Sequence, residues 1–471
     1  MMLRQRKSIF TVMALVLMLA AVLSACSKSG SESSNTSAPS GSSGNSGAKE
    51  KITLRMTVWG SPEEVAPYKK AIQRFEDKFP NIKVELQHIA ADYDTKLTTM
   101  VAGNDVPDIA MMESGTIAFP LAEQGKFYNL QEFLDRDSDI SPDTLVPNII
   151  YSLEPGNVIG IGPGPESFGL FYNEDIFKEA GIAPPPSNVA DAWTWDEFVE
   201  TAKKLTVDTN GKTAADPGFD PKKIKQYGVN ASTWWGVYSN FIYSNGGDFI
   251  SADGKSFGLN QPEAVEAIQK ISDLMNVYHV SPSPVQSKNI PATNVALQTK
   301  KVAMTIDGQW ASAGLAQSKF NFNVGVMPVL KEPVTTVVCA MFSIFKSTEH
   351  PQEAWELMKA LIDPEASIDM ITAGTWMPSL KDWYTDPALL AKWTENLDSR
   401  PSGYKEAIVD VILTKGHQTP TGYVKNFNNI MDIVNPALDK VWLGQQSAQE
   451  AMDSIAAKVQ AQIKGRRDIK E

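Results

Sequence analysis

The chain has 471 residues, enough for more than one lobe with a core of its own. Apolar residues make up 42% and charged residues 21%, proportions that exclude general disorder. With 55 acidic against 43 basic side chains the formal charge is -12, which removes any electrostatic reason to bind nucleic acid or an anionic membrane face.

The first element is a leader. Arg4, Arg6 and Lys7 precede an apolar stretch from Ile9 to Leu23, and a Ser/Gly-rich tract follows from Ser27 to about Ala48. The stretch is short for a membrane span and no basic stop-transfer cluster follows it. Loss of the leader's three basic residues would make the mature chain more acidic still. Leu23-Ser24-Ala25-Cys26 resembles the lipobox of bacterial lipoproteins. That resemblance implies cleavage before Cys26, lipid on its sulfur and an acylated new amino terminus. Two or three acyl chains anchor a protein stably where one does not. Residues 1–25 are then signal peptide and 26–50 a flexible tether. Cys339, the only other cysteine, lies in the apolar run Thr336 to Phe342 and reads as a buried, inert thiol. Without a disulfide the body rests on its cores.

The body opens with a strand, because apolar residues alternate at Ile52, Leu54, Met56 and Val58. Ser61, Pro62 and Glu64 form a helix start with a capping box. Val65, Tyr68, Ile72, Phe75 and Phe79 then define one apolar helix face, which Pro80-Asn81 ends. A second strand alternates through Ile82, Val84 and Leu86. A helix around Leu97, Met100 and Val101 stops at Gly103, and a third strand runs Ile109 to Met112. This strand–helix alternation is the unit of a largely parallel α/β sheet. Farther on, Thr194 and Glu197 form another capping box, and Asn260 is placed to cap a helix through Val265, Ile268, Ile271, Met275 and Tyr278. The segment Asp208 to Pro221 reads as a surface loop. Two Gly/Pro-rich stretches, Gly160–Pro165 and Met327–Pro333, read as loops.

Six short motifs in order carry a family resemblance. They are Ala102-Gly-Asn-Asp-Val-Pro-Asp-Ile109, Phe171-Tyr-Asn-Glu-Asp-Ile-Phe177, Thr194-Trp-Asp-Glu-Phe198, Asn245-Gly-Gly-Asp248, Ala303-Met-Thr-Ile-Asp-Gly-Gln-Trp310 and Gly374-Thr-Trp-Met-Pro378. With the lipobox before them, they resemble the extracellular solute-binding proteins that include maltose-binding protein, over nearly everything after the tether. The resemblance implies an α/β fold of the two-lobed, type II periplasmic-binding-protein kind, with a hinge and a ligand cleft between the lobes. By analogy lobe one is 51–164 plus 303–330 and lobe two is 168–300 plus 334–471, with the two Gly/Pro-rich stretches as crossings. It also implies a carbohydrate ligand, delivery to the permease subunits of an ABC importer, attachment to the outer face of the cytoplasmic membrane through Cys26, and a monomer without cofactor, metal or catalytic residues.

Candidate ligand contacts follow from the motifs. Trp59 and Ser61 follow the first strand, and Glu113 and Ser114 follow the third. Glu166 stands seven residues before Asn173 at the crossing, where related proteins carry a sugar-contacting carboxylate. Asp307 and Trp310 end a late strand, and Trp234, Trp235 and Trp376 lie in expected loops. These residue types suit a sugar. A pyranose stacks its C–H face on an aromatic ring, and its hydroxyls need acceptors, because an unpaired buried hydroxyl costs a few kcal/mol. Each has a plainer reading beside the functional one. Trp59 leaves the core face of its strand by parity. Of the adjacent pair Trp234 and Trp235, one is expected in the cleft and the other in the core. Trp310 suits a helix end, Glu113 a helix start, Glu166 a hinge hydrogen bond, and Asp307 the turn amide of Gly308. Asp248 reads as turn chemistry, and Trp195 and Trp355 lie on helical core patterns.

Other functions remain open at this level. A polyamine would also favour carboxylates and aromatic rings. A polyol phosphate would need arginine or a helix N-terminus, and no basic cluster lies near the cleft motifs. An exported glycosidase needs two carboxylates, but the four histidines are scattered and no nucleophile or metalloprotease motif occurs. A purely structural surface protein would have no interlobe pocket. The Asp208 loop offers oxygens for a cation, yet its spacing departs from the EF-hand and a turn is the simpler reading.

Overall fold

The computed structural model describes residues 50–469. The leader, Cys26 and the tether lie outside that range, and no helix among the described residues is long and apolar enough to cross a membrane.

Two sheets organise the body. In the first the strand order is β2-β1-β3-β12-β5-β4, from β1 (Ile52–Val58), β2 (Ile82–His88), β3 (Ile109–Met112), β4 (Ile150–Glu154), β5 (Asn157–Ile161) and β12 (Met341–Ile344). β1 lies parallel to both β2 and β3, with Ile52 beside Ile82 and Met56 beside Ile109. The Pro62–Lys78 helix between β1 and β2 has the expected capping box. Ser61 Oγ accepts from the Glu64 N–H, and Glu64 accepts from the Ser61 N–H at 2.6 Å. Val65, Tyr68, Ile72 and Phe75 of that helix are buried, the one-sided stripe that pins a helix to a sheet.

The second sheet has the order β10-β6-β9-β8-β7, from β6 (Phe168–Asn173), β7 (Val207–Asp208), β8 (Ile224–Asn230), β9 (Val302–Gly308) and β10 (Phe322–Gly325). Alternate residues of β6 enter different apolar clusters, Phe168, Leu170 and Tyr172 on one face and Phe171 on the other, as the pleat requires. The Trp195–Leu205 helix has its Thr194–Glu197 capping box. Trp195 and Trp355 are buried as their helical spacing implies, and so is Cys339.

Strand pairing corrects the expected lobe boundaries. β9 lies in the middle of the second sheet and β10 at its edge, so residues 303–330 belong with lobe two. β12 enters the first sheet between β3 and β5, and the Pro351–Ile362 helix packs on the Pro62–Lys78 helix, so the chain from 341 to at least 362 belongs with lobe one. A strand buried on both faces carries no mark of which sheet it joins. Gly160 and Ile161 of the first Gly/Pro-rich stretch end β5, an inner strand, and the chain passes to β6 over residues 162–167. The second stretch is not a crossing. Residues 327–333 are fastened to lobe two, where Val329 exchanges main-chain hydrogen bonds with Trp193 and Trp195, and Lys331 and Glu332 donate to the Ser244 carbonyl. The chain crosses instead at residues 338–340, after β11 (Thr335–Val337), which pairs with β13 (Gly416–Gln418). Prolines mark the loop, whereas the crossing is an apolar extended segment. The Pro262–Asn276 helix starts one residue later than Asn260 would dictate. Gln261 is its N-cap, with no side-chain cap bond, because Pro262 sets the first helical position.

Candidate functional site

A cavity of about 840 Å³ opens where β1 and β3, the first two crossings and lobe two converge, a volume within the range of small-molecule sites. From lobe one, the ends of parallel strands supply Trp59, Ser61 and Glu113, the first turn of the Pro62–Lys78 helix supplies Glu64, and the start of the Tyr93–Ala102 helix after β2 supplies Asp92, Tyr93 and Asp94. The crossings supply Glu166, Val338, Cys339 and Ala340. Lobe two supplies Trp234, Trp235 and Trp310, and Thr375 with Trp376 closes the wall.

Local chemistry fixes each ring. Trp234 is the N-cap of the Trp235–Ser244 helix, so the chain turns between the two indoles. Their centroids are 5.0 Å apart, and Trp234 meets Trp310 at 6.2 Å. Phe168 backs both, edge-on to Trp310 at 5.5 Å. Two glycines make room, since a Cβ on Gly308 would overlap the Trp310 ring and one on Gly236 would overlap the Trp234 ring. Trp234 is 41% exposed, an apolar face turned to solvent. On the opposite wall Trp59 is edge-on to Tyr93 at 5.1 Å, and Trp376 donates its indole N–H to the Tyr68 hydroxyl at 3.0 Å.

The carboxylates are less well partnered. Glu113 is an N-cap, accepting from the Thr116 N–H at 2.9 Å. Burial foremost holds its carboxyl above the usual range. Glu166 is 6% exposed. Its side chain accepts only a long bond, 3.5 Å, from Gln309 Nε2. Burial first and the nearby Glu64 charge second push its carboxyl well up. Gln309 is steadied by Tyr404, which donates to its Oε1 at 3.0 Å, and itself donates to the Thr375 carbonyl at 3.0 Å. The Thr375 hydroxyl is buried on the wall with no hydrogen-bond partner.

Residues 59–368 match the family described as bacterial extracellular solute-binding protein. The chain belongs to that family. Among solute-binding proteins it is similar to the multiple sugar-binding protein of Streptococcus mutans, 24% identical over 376 residues that cover 75% of this chain and 78% of that one. An ABC substrate-binding protein from Listeria monocytogenes in complex with cycloalternan superposes with a TM-score of 0.75 at 24% identity, covering 88% of this chain and 99% of the other. The maltose/maltodextrin-binding domain of Bdellovibrio bacteriovorus bound to maltotriose gives 0.69 at 21%, covering 87% and 99%. The fold is thus the type II periplasmic-binding-protein-like one.

Within this solute-binding protein, eight of the ten residues singled out from the sequence line the one cavity: Trp59, Ser61, Glu113, Glu166, Trp234, Trp235, Trp310 and Trp376. Both members of the Trp234–Trp235 pair are on the wall, not one in the core, because a helix start and not a strand carries them. Two residues fall elsewhere. Ser114 is buried against lobe two, 3.1 Å from the Thr421 hydroxyl. Asp307 accepts from the Gly308 N–H at 2.8 Å and from Thr293, the turn role its sequence position also allowed. Asp208 likewise accepts from the main-chain N–H groups of Asn210, Lys212 and Asp220. Sequence reasoning missed Glu64, Tyr68, Asp92, Tyr93, Asp94 and Thr375. One signal could have found the Asp92–Asp94 trio: it follows β2, parallel neighbour of β1, and ligands gather at the carboxyl ends of parallel strands.

Proposed function

We propose that this protein is the extracytoplasmic substrate-binding lipoprotein of an ABC importer and that it holds a sugar or oligosaccharide between its lobes. The observation that carries the reading is the cavity itself, where indoles from both lobes face carboxylates and a free buried hydroxyl. Flat rings take the C–H faces of a pyranose and the oxygens take its hydroxyls. The ligands named for the similar proteins of Streptococcus, Listeria and Bdellovibrio point the same way. Trp59, Ser61, Glu113, Glu166, Trp234, Trp235, Trp310 and Trp376 are the proposed contacts.

Binding works by differential contact. A guest touching both lobes favours the closed arrangement by what it gains there and nowhere else, and the permease subunits recognise that closed form. The protein acts as a monomer, without cofactor or turnover. Cys26 carries the lipid, and residues 26–50 tether the body to the outer face of the membrane.

Calorimetry against neutral mono- and oligosaccharides tests the reading, with heat and a thermal shift expected from at least one. A protein that answers to no sugar, or that releases product from chromogenic glycosides, is not what is proposed. Metabolic palmitate labelling should be lost in Cys26→Ser, and retained label refutes the anchor.

A further inference from the structure

The cavity wall has a charge imbalance beyond what hydroxyl recognition requires. Five carboxylates line it, Glu64, Asp92, Asp94, Glu113 and Glu166, and among the described residues no lysine, arginine or histidine does. Several act on one another. The Glu64 charge raises Glu166, and the Asp94 charge is one of the influences raising Glu113. The one buried guanidinium among the described residues, Arg400, stacks on Tyr404 at 4.3 Å. Its N–H groups are used on the main-chain carbonyls of Trp393, Ser399, Ile371 and Trp376. Glu166 therefore sits buried on the wall with one long hydrogen bond and no ion pair. An uncompensated buried carboxyl is costly when ionised, and a cation within contact distance relieves that cost.

We propose that the natural guest is a carbohydrate bearing a protonated amine, an amino sugar whose ammonium sits at Glu166. The inference rests on the carbohydrate reading above and narrows it. A neutral sugar offers hydroxyls to these oxygens but no countercharge. An ammonium offers three donors and the missing charge together, and the indoles of Trp234 and Trp310 attract a cation over their faces. A phosphorylated sugar meets only like charge here.

Matched probes separate the possibilities. Glucosamine oligomers are compared with their N-acetylated counterparts by calorimetry at pH 6. Any neutral oligosaccharide that binds in the sugar panel is compared with its amino-deoxy derivative. The amino member should bind at least tenfold tighter, and its advantage should shrink as sodium chloride rises. Glu166→Gln should collapse the ratio between the two members of a pair. Neutral members that bind as well or better overturn the amine inference and leave the carbohydrate reading standing. Equal loss of both members in Glu166→Gln removes Glu166 as the pairing group. Spermidine binding without any sugar, or no heat from any probe, overturns both readings.

Discussion

Glu166 and Val338 exchange both of their main-chain hydrogen bonds, at 2.8 and 2.9 Å, so two of the segments that join the lobes are tied to each other at the cavity wall. The tie does not use the Glu166 carboxyl, which can be changed without breaking it. A carboxyl whose folded pKa is raised binds its proton more tightly in the folded chain than in the unfolded one. Its contribution to stability is full at low pH and is lost as pH rises from the ordinary glutamate value to the raised folded one. Burial raises Glu166 in this way. Ligand-free Glu166→Gln should therefore melt higher than the wild type near neutral pH, by roughly 2 °C or more, and the gap should close below about pH 4. Thermal scans from pH 4 to 8 check it. A gap independent of pH would show that the carboxyl is not strained by its burial.

Trp310 lies on Gly308 where any Cβ would overlap its ring. Gly308→Ala forces the indole off its seat and away from Trp234 and Phe168. An aromatic contact at such a site contributes on the order of 1 kcal/mol beyond the area it covers. Affinity for the sugar identified by calorimetry should fall about tenfold, with a shift in tryptophan emission. Unchanged affinity would place Trp310 outside the ligand's reach.

Two tryptophans of different exposure should separate binding from stability. Trp234 is 41% exposed and Trp376 only 6%. Trp234→Ala leaves little buried void, so it should cost affinity with a small change in melting temperature. Trp376→Ala opens a cavity and strips the Tyr68 hydroxyl of its donor, and should cost about 3–5 kcal/mol in denaturant unfolding. If both variants lose stability equally, the exposed ring of Trp234 is structural.

Local signals in the chain were readable and long-range ones were not. The capping boxes at Ser61–Glu64 and Thr194–Glu197 involve residues three apart, so sequence alone locates them. The sheet membership of β9 and β12 depends on distant partners, Tyr227–Asn230 and Phe168–Tyr172 for β9 and Ile109–Met112 for β12. Apolar runs of similar character fit either sheet. The candidate site shows the same split. Trp59 and Glu113 were legible as residues at strand ends. The Trp234–Trp235 pair was misread because a strand rule was applied to what proved a helix start. Thr375 lies inside the Gly374–Pro378 motif, but only tertiary folding brings its hydroxyl to the wall.

The first crossing gives a test in which the obstacle can be removed. A Cβ on Gly162 would overlap Cys339 Sγ most deeply and also approach the Ala340 carbonyl to 2.8 Å, whereas one on Gly164 would overlap the Met377 carbonyl. The Cys339 thiol is itself buried, 2.9 Å from the Gly164 carbonyl. Overpacking at such a contact costs about 1–3 kcal/mol. Gly162→Ala should therefore destabilise the protein, and Cys339→Ala in the same chain should restore part of the loss, because the sulfur that the new methyl meets is gone. The pair should be non-additive by at least about 0.5 kcal/mol in a double-mutant cycle. Gly164→Ala should gain nothing from Cys339→Ala, since a main-chain carbonyl blocks it. Chemical denaturation of the three single and two double variants decides the matter, and simple additivity at Gly162 would mean that the crossing yields by moving its backbone instead of compressing against the thiol.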